Sequence, residues 1–335
     1  MRPTSTSPEP PASVIAVVGA TASGKSDLGL ELAQRLGGEV VNADAMQLYR
    51  GMDIGTAKLP VGERHGIPHH ELDVLEVTEE ASVARYQVAA RADVAAIRAR
   101  GRAPILVGGS GLYLRAALDR LDIPPTDPAL RSRLEEEALE QGASVMHARL
   151  ARLDPAAAAG ILPANVRRVV RALEVVTLTG RPFSATMPTR RFLCPTTMLG
   201  LRVSREVLDE RIDRRVERMW RDGLLEEVRG LLPLGLREGF TASRAIGYRQ
   251  AVEVLDGVST AEAAIAETAR ATRRYARRQE SWFRADPRIV WLDAQAPDLV
   301  ERALDVVCAR ALRHDPSTGD PPPPPGGAGA MPDNG

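Results

Sequence analysis

The stretch that decides the fold is Gly19-Ala20-Thr21-Ala22-Ser23-Gly24-Lys25-Ser26. It satisfies G-x-x-x-x-G-K-[ST], in which backbone amides, a lysine and a hydroxyl surround a phosphate group. The apolar run 14–18 before it predicts a strand, and apolar residues at helical spacing over 28–36 predict a helix after it. A strand, a glycine loop and a helix N-terminus in this order direct N–H groups at an anion. The sequence therefore predicts a binding site for a di- or triphosphate group.

Lysine is rare in this chain. Of the 44 basic residues, 42 are Arg, and the two Lys are Lys25 and Lys58. An ammonium group is a compact point charge, whereas the guanidinium of Arg is a wide planar fork, so a close cradle of amides favours Lys. This argument explains the lysine of the loop, and a codon bias toward Arg suffices for Lys58.

The composition limits the class of protein. A chain of 335 residues, 44% of them hydrophobic, can build one large or two modest domains. Cys194 and Cys308 are too few for a disulfide framework or a zinc site. No apolar run approaches the roughly 20 residues of a membrane span, and residues 1–13 lack the apolar stretch of a signal peptide. We therefore expect a soluble, cytoplasmic protein without membrane contact, whose net charge of zero disfavours general affinity for nucleic acid unless Arg residues cluster.

Alternating strand and helix patterns predict an α/β fold with a parallel sheet. Further strands are predicted at 39–44, 104–109, 197–203 and 289–292. Residues 119–196 interrupt the alternation with helical patterns rich in Arg, Glu and Ala, which predicts an inserted helical arm between core segments 13–118 and 197–312. The ends, 1–12 and 313–335, are rich in Pro, Ser and Gly and are predicted to be disordered tails.

Asp44 is the second candidate site residue. It ends the second predicted strand, and ligands of parallel α/β sheets bind beyond the carboxyl ends of the strands. Its carboxylate could bind magnesium, accept a proton, or only cap the next helix. The next predicted strand runs into Gly108-Gly109-Ser110 instead of ending in the Asp that holds magnesium in ATP-hydrolysing phosphate-loop proteins. This difference disfavours an ATPase and weakens a kinase interpretation without excluding it.

Arg residues cluster in three places. Helical spacing puts five of them on one face of a late helix. They are Arg270, Arg273, Arg274, Arg277 and Arg278, with Glu267 and Glu280 as the only acids nearby in the sequence. Two further clusters are Arg167, Arg168 and Arg171 in the arm, and Arg244 and Arg249 beside Gly247-Tyr248. Such clusters favour an RNA backbone, and an ordinary solvated face of an Arg-rich protein is the alternative.

The pair His69-His70 offers two imidazoles, but no third ligand lies at the spacing of a metal site. We predict a turn with one of the two rings buried.

Five segments together resemble the bacterial tRNA dimethylallyltransferases, also called isopentenyl-pyrophosphate:tRNA transferases. They are Gly19 to Ser26, Asp44 to Lys58, Pro68-His69-His70, Val107 to Tyr113, and Ile246-Gly247-Tyr248-Arg249-Gln250. Their order and spacing match the family over roughly residues 14–295. The resemblance implies a P-loop NTPase-like parallel sheet flanked by helices, with an inserted helical arm that contacts tRNA.

The resemblance also implies a reaction and a set of site residues. A dimethylallyl group would pass from dimethylallyl pyrophosphate to N6 of the adenosine just 3′ of a tRNA anticodon, with Mg²⁺ as cofactor and Ser26 as a candidate ligand. The implied catalytic residues are Asp44 as proton acceptor, Thr21, and Arg215 beside the pyrophosphate, which Gly19, Thr21, Ala22, Ser23, Gly24, Lys25 and Ser26 would bind. The partner would be the anticodon stem-loop, and nothing requires more than a monomer.

Most of the expected tRNA contacts follow from the same resemblance, and the Arg face of the late helix adds four. They are Asp44, Ala45, Met46, Gln47, Ser110, Arg131, Arg167, Arg168, Arg171, Arg244, Gly247, Tyr248 and Arg249, with Arg273, Arg274, Arg277 and Arg278. Three positions depart from the usual pattern: Ala20 replaces a common Pro, Ala45 a common Ser, and Ser110-Gly111 a common Thr. Ser110 keeps a hydroxyl, whereas Ala45 has none to offer.

Two other classes stay open at this point. A nucleotide or small-molecule kinase would use the phosphate loop and Asp44 but would leave the Arg clusters without a task. An RNA-binding protein with a degenerate loop would use the clusters, but the intact Lys25 and Ser26 argue against decay of the loop.

Overall fold

The computed structural model describes residues 13–186 and 190–313. The described chain divides into two compact units, one of residues 13–118 with 194–313 and the other of residues 119–193. The second unit ends before the predicted residue 196. The carbonyl of Pro195 accepts from the amide of Val14 (2.9 Å), and Thr196 begins a strand of the sheet, so both residues go with the first unit. The predicted tails lie outside the described residues, except for residue 313.

The first unit contains a six-stranded sheet. Its strands are β1 (Val14–Gly19), β2 (Glu39–Asn42), β3 (His69–His70), β4 (Pro104–Gly108), β5 (Thr196–Arg202) and β6 (Ile289–Asp293). They lie in the order β3-β2-β4-β1-β5-β6, and every pair is parallel. All six residues of β1 are buried, since this strand lies between β4 and β5. The predicted parallel α/β sheet is confirmed.

Twelve α-helices are described. They are α1 (Lys25–Leu36), α2 (Val83–Ala99), α3 (Gly111–Leu118), α4 (Pro128–Gln141), α5 (Ala143–Leu153), α6 (Pro155–Gly160), α7 (Val166–Thr179), α8 (Arg205–Arg221), α9 (Leu224–Leu231), α10 (Tyr248–Leu255), α11 (Ala261–Arg284) and α12 (Leu299–Arg313). Helices α4 to α7 form the second unit. None of the described helices is both long and apolar enough to cross a membrane.

Within the described residues, two apolar clusters pack helices of the first unit against its sheet and against one another. In one, Leu32 of α1 and Val307 of α12 pack with Ile15 and Leu199 of the sheet. In the other, α8 and α11 pack through residues such as Ile212 and Ala276. Burial of each large aliphatic side chain contributes about 1.5–3 kcal/mol, so these contacts fix the helices to the sheet. They thereby fix the loops that follow β1, β2 and β4.

The predicted turn at His69-His70 is wrong. These residues form a short edge strand that pairs with Val40 and Val41 of β2, and both are half-buried. His70 Nε2 lies 2.8 Å from a carboxylate oxygen of Glu39. A strand of two polar residues lacks the alternating apolar pattern by which strands are predicted. No cluster of three or more His, Cys, Asp or Glu suited to a metal ion occurs within the described ranges.

Candidate active site

The loop between β1 and α1 has the backbone that its glycines allow. Gly19 has φ 151° and Gly24 has φ 91°, values that side chains disfavour. A Cβ atom on Gly19 would also lie 3.0 Å from Ser23 Oγ and 3.2 Å from the carbonyl oxygen of Leu201. Ser23 is buried, and its hydroxyl has no hydrogen-bond partner among the residues that the structure describes. A buried unsatisfied hydroxyl in such a loop fits a site that takes up an anion.

A cleft opens above this loop, at the carboxyl ends of β1, β2 and β4. Its empty volume is about 720 Å³, including the part open to solvent. Among its lining residues are Thr21, Lys25, Ser26, Asp44, Arg215 and Gln279. The structure therefore brings the predicted phosphate loop, the predicted proton acceptor and the predicted arginine to one place.

Two cations and one carboxylate set the charge of the cleft. The half-buried Lys25 donates from Nζ to the carbonyl oxygen of Ala20 at 2.6 Å. Burial lowers the pKa of Lys25 to about 8, although the nearby Asp44 raises it, and Arg215 lowers it further. Burial likewise lowers the pKa of Arg215, again against the effect of Asp44. A polyphosphate would relieve this unfavourable concentration of positive charge.

Asp44 does cap the next helix, as the structural alternative required. Its Oδ1 accepts from the amide of Met46 at 3.0 Å, at the start of a short 3₁₀ helix, Ala45–Leu48. The other carboxylate oxygen makes no hydrogen bond within the described part of the chain. Capping thus leaves one carboxylate oxygen of Asp44 available. The role of helix cap is therefore compatible with the predicted role of proton acceptor.

Asn42 fixes the backbone at Asp44 and was not among the predicted site residues. Its Oδ1 accepts from the amide of Asp44 (2.9 Å), and its Nδ2 donates to the carbonyls of Asp44 (3.0 Å) and Glu71 (2.8 Å). Ser110 Oγ accepts from the amide of Ala45 at 3.2 Å, so the hydroxyl retained at position 110 makes a backbone contact. The sequence signal for Asn42 is weak, because it is a single polar residue at the end of an apolar run.

Gln279 is the second residue that sequence reasoning missed. It is buried on α11, accepts from the amide of Thr21 (2.8 Å) and donates to the carbonyl of Gly109 (2.9 Å). A Cβ on Gly109 would lie 2.2 Å from Gln279 Nε2, and one on Gly108 would lie 2.2 Å from the carbonyl of Ala43. The glycines at the end of β4 therefore permit close packing where ATP-hydrolysing phosphate-loop proteins carry an Asp. A polar residue on the apolar face of α11 is the signal that could have found Gln279.

The Arg face of α11 is partly neutralised. Arg270 and Arg274 both pair with Glu267, and Arg273 pairs with Asp213 of α8. The sequence did not indicate the acid from α8. Arg278 lies over the ring of Tyr275, 5.7 Å from its centroid, and the exposed Arg277 has no ion pair among the described residues. The solvated-face alternative therefore fits the first three better than the last two.

In the helical unit, two arginines that were predicted to contact tRNA, Arg131 and Arg171, donate to a carboxylate of the same unit. Glu174 is fully buried and accepts from Arg131 Nη2 (2.9 Å) and Arg171 Nη1 (2.7 Å). Arg171 also donates to the carbonyls of two prolines before α4, at 2.8 and 3.0 Å. Arg167 and Arg168 are exposed. The tRNA contacts predicted at these positions stay predictions, but the structure separates two anchored arginines from two exposed ones.

The third Arg cluster also contains both buried and exposed residues. Arg244 and Arg249 are exposed, and the Arg244 guanidinium lies 3.9 Å from the centroid of the Phe240 ring. Gly247 is buried at φ 93°, and Tyr248 is fully buried with its hydroxyl bonded to Glu227. The side chain of Tyr248 is therefore not on the surface, and its tRNA contact stays an untested prediction.

Lys58 has a physical explanation beyond codon bias. Its buried ammonium donates to the carbonyl of Tyr49 (2.8 Å) and to carboxylate oxygens of Asp53 (2.6 Å) and Asp73 (2.5 Å). Three acceptors around one nitrogen suit the three donors of Lys. The chance interpretation of this residue is therefore unnecessary.

The fold and the site define a phosphate-loop α/β protein whose cleft places two cations beside a carboxylate. The model of the IPP transferase family matches residues 47–286. The chain is 61% identical over 300 residues to the tRNA dimethylallyltransferase of Thermobifida fusca, covering 88% of this chain and 94% of that protein. It is 59% identical over 309 residues to that of Kineococcus radiotolerans, covering 89% and 98%. The chain belongs to the IPP transferase family.

Solved structures agree with this assignment. The tRNA isopentenylpyrophosphate transferase of Bacillus halodurans aligns with a TM-score of 0.66 at 40% identity, covering 90% of this chain and 97% of that one. A eukaryotic dimethylallyltransferase acting on tRNA aligns with a TM-score of 0.75 at 31% identity, covering 87% and 77%. Membership of this family favours a transferase over the kinase and the non-catalytic RNA-binding alternatives.

Proposed function

We propose that this protein transfers a dimethylallyl group from dimethylallyl pyrophosphate to N6 of the adenosine just 3′ of a tRNA anticodon, which releases pyrophosphate. The observation that carries the proposal is the cleft, which Lys25, Arg215 and the N-terminus of α1 line together with Asp44. One carboxylate oxygen of Asp44 accepts from the amide of Met46, and the other is available. The relatives described above as tRNA dimethylallyltransferases support the same substrates.

Departure of pyrophosphate is the step that the cations assist. The bond between the allylic carbon and the bridging oxygen breaks, and the bond from that carbon to N6 forms. Because an adenine amino group is a poor nucleophile, stabilisation of the leaving group supplies most of the acceleration. Lys25, Arg215 and the loop amides take up its charge, and the hydroxyl of Thr21 donates to it.

The proton released from N6 passes to Asp44. Its Oδ1 is held by the amide of Met46, and its backbone is held by Asn42, so the remaining oxygen is presented without rearrangement. Pre-positioned acceptors of this kind typically contribute about 10²–10⁴-fold to a rate.

Magnesium fits the donors that the cleft offers. Mg²⁺ commonly takes one or two protein oxygens and completes its shell with phosphate oxygens and water. Ser26 follows Lys25 at the N-terminus of α1 and lines the cleft, so its hydroxyl is the protein group that would hold the ion. When bound, magnesium would supply positive charge to the pyrophosphate oxygens.

The partner is the anticodon stem-loop of tRNA. The target base must leave its stack, and this is less costly in a loop than in a duplex. We propose the exposed arginines as backbone contacts: Arg277, Arg278, Arg244, Arg249, Arg167 and Arg168. A monomeric state and a cytoplasmic location stay predictions.

Thermal unfolding with added ligands tests the proposed site. Pyrophosphate and dimethylallyl pyrophosphate, each with Mg²⁺, should raise the melting temperature more than ATP does at the same concentration, because a ligand that binds only the folded state stabilises it. A larger shift with ATP would point back to the kinase.

A further inference from the structure

The segment that follows the 3₁₀ helix is held by one carboxylate. Glu227, on α9, accepts through Oε2 from the amides of Asp53 (3.1 Å) and Ile54 (2.7 Å), and through Oε1 from the amide of Gly55 (3.3 Å). Its Oε1 also accepts from the hydroxyl of Tyr248 at 2.5 Å. One side chain thus engages three consecutive backbone amides and a phenol.

The surroundings make this arrangement specific. A Cβ on Gly55 would lie 2.4 Å from a ring carbon of Tyr248, so the backbone here rests directly on the aromatic ring. Burial, followed by the charge of Glu227, raises the pKa of Tyr248, which keeps its hydroxyl protonated as a donor. At the other end of the segment, the ammonium of Lys58 pairs with Asp73 and with Asp53. The segment 53–58 is therefore clamped by charge at both ends.

The clamped segment lines the cleft with Thr56 and Ala57, and its Thr56 carbonyl meets Arg215. Thr56, which lines the cleft, accepts at its carbonyl oxygen from Arg215 Nη2 (3.2 Å) and from Gln47 Nε2 (3.2 Å). Within the described part of the chain, Arg215 makes no hydrogen bond other than the one to the Thr56 carbonyl. The direction of the guanidinium consequently depends on where the Thr56 carbonyl lies.

We propose that Glu227 is a positioning residue: through the amides of residues 53–55 it sets the Thr56 carbonyl, which aims Arg215 at the leaving pyrophosphate. The inference rests on the proposed function for the identity of that anion. A carboxylate is required because all four groups around it are donors. A Gln at this position would turn its own NH₂ group toward at least one of them.

A double-mutant cycle on pyrophosphate affinity tests the proposal. The proteins are the full chain, Glu227→Gln, Arg215→Gln and the double variant, and titration calorimetry with Mg²⁺-pyrophosphate gives each dissociation constant without tRNA. Each single variant should weaken binding by about tenfold or more, as expected for hydrogen bonds to charged groups. The double variant should bind no more weakly than Arg215→Gln alone, because the clamp acts only through that arginine. A residue that merely supports the fold would give additive losses.

The neighbouring acid supplies a matched control. Glu226 lies on the same turn of α9 but pairs with the exposed Arg229, so Glu226→Gln should bind pyrophosphate like the parent chain. Tyr248→Phe removes one donor from Glu227 without altering charge. Tyr248→Phe should weaken pyrophosphate binding less than Glu227→Gln does, and it should do so only when Arg215 is present. If Glu227→Gln does not fold, this variant tests the proposal in its place. Additive losses, or unchanged affinity in the folded Glu227 variant, would overturn the inference alone. A parent chain that does not bind pyrophosphate would contradict the proposed function as well.

Discussion

Asp44 uses one carboxylate oxygen as a helix cap, and this allows its chemistry to be tested apart from its structural role. Asn can accept the same bond from Met46 but cannot take a proton from N6. We expect Asp44→Asn to melt near the parent chain and to bind pyrophosphate, while turnover falls by about 10²–10⁴. Single-turnover kinetics with calorimetry would separate these quantities. Parent-like turnover would leave Asp44 with capping alone.

Lys25 gives the site a pH dependence whose sign follows from its lowered pKa. Pyrophosphate binds the charged ammonium, so affinity should be full below the pKa of about 8 and should fall as pH rises through it. The titration of pyrophosphate itself is common to all variants and cancels in a comparison. Lys25→Arg should remove this fall and bind weakly at every pH, because the wider guanidinium does not fit the loop. An Arg variant with full affinity would show that shape at this position is unimportant.

At the scale of elements, α11 carries two kinds of arginine. Arg273 and Arg274 face the acids Asp213 and Glu267, whereas Arg277 and Arg278 have no acid partner within the described residues. We expect Arg277→Gln with Arg278→Gln to weaken tRNA binding and to reduce the slope of log affinity against log salt by about 0.7–0.9 per lost contact. The paired arginines, replaced in the same way, should change the slope less. A larger change of slope for the Arg273 and Arg274 variants would show that the ion-paired arginines form the binding surface.

The helical arm allows an analogous separation of stability from binding. Burial acts to raise the pKa of Glu174, but bonds from Arg171, the amide of Asp127 and Arg131 hold it below its ordinary value of 4.5. The ionised group therefore stabilises the fold above that pH, and the contribution is lost as pH falls.

We accordingly expect Glu174→Gln to lower the free energy of unfolding at neutral pH by about 1–3 kcal/mol, since it removes the charge from the buried acceptor of two half-buried arginines. Denaturant titration should show the deficit shrinking below pH 4.5. Arg167→Gln with Arg168→Gln should leave unfolding unchanged and weaken tRNA binding. If Glu174→Gln left the free energy of unfolding unchanged, the ion pairs of Glu174 with Arg131 and Arg171 would be dispensable for stability.

At the scale of the whole molecule, the features that could be predicted from the sequence are those set by local patterns of residues. The phosphate loop, five of the six strands and the meeting of Asp44 with Lys25 follow from periodicity and from the rule that parallel strands end at one edge. Gln279 and Glu227 were not predicted, because each bonds to backbone groups distant in sequence. Asn42 was not predicted because it is a single polar residue at the end of an apolar run. The Arg face of α11 was only half predictable, since Asp213 comes from another helix.

The central claim is prenyl transfer to tRNA, and the most direct measurement is the mass of the RNA product. The full chain, Mg²⁺ and dimethylallyl pyrophosphate are incubated with an anticodon stem-loop, and the RNA is weighed by mass spectrometry before and after digestion. We expect a gain of one dimethylallyl group in place of one hydrogen, located on the adenosine 3′ of the anticodon and absent when that base is replaced by guanosine. An unchanged mass with folded, pyrophosphate-binding protein would contradict the account.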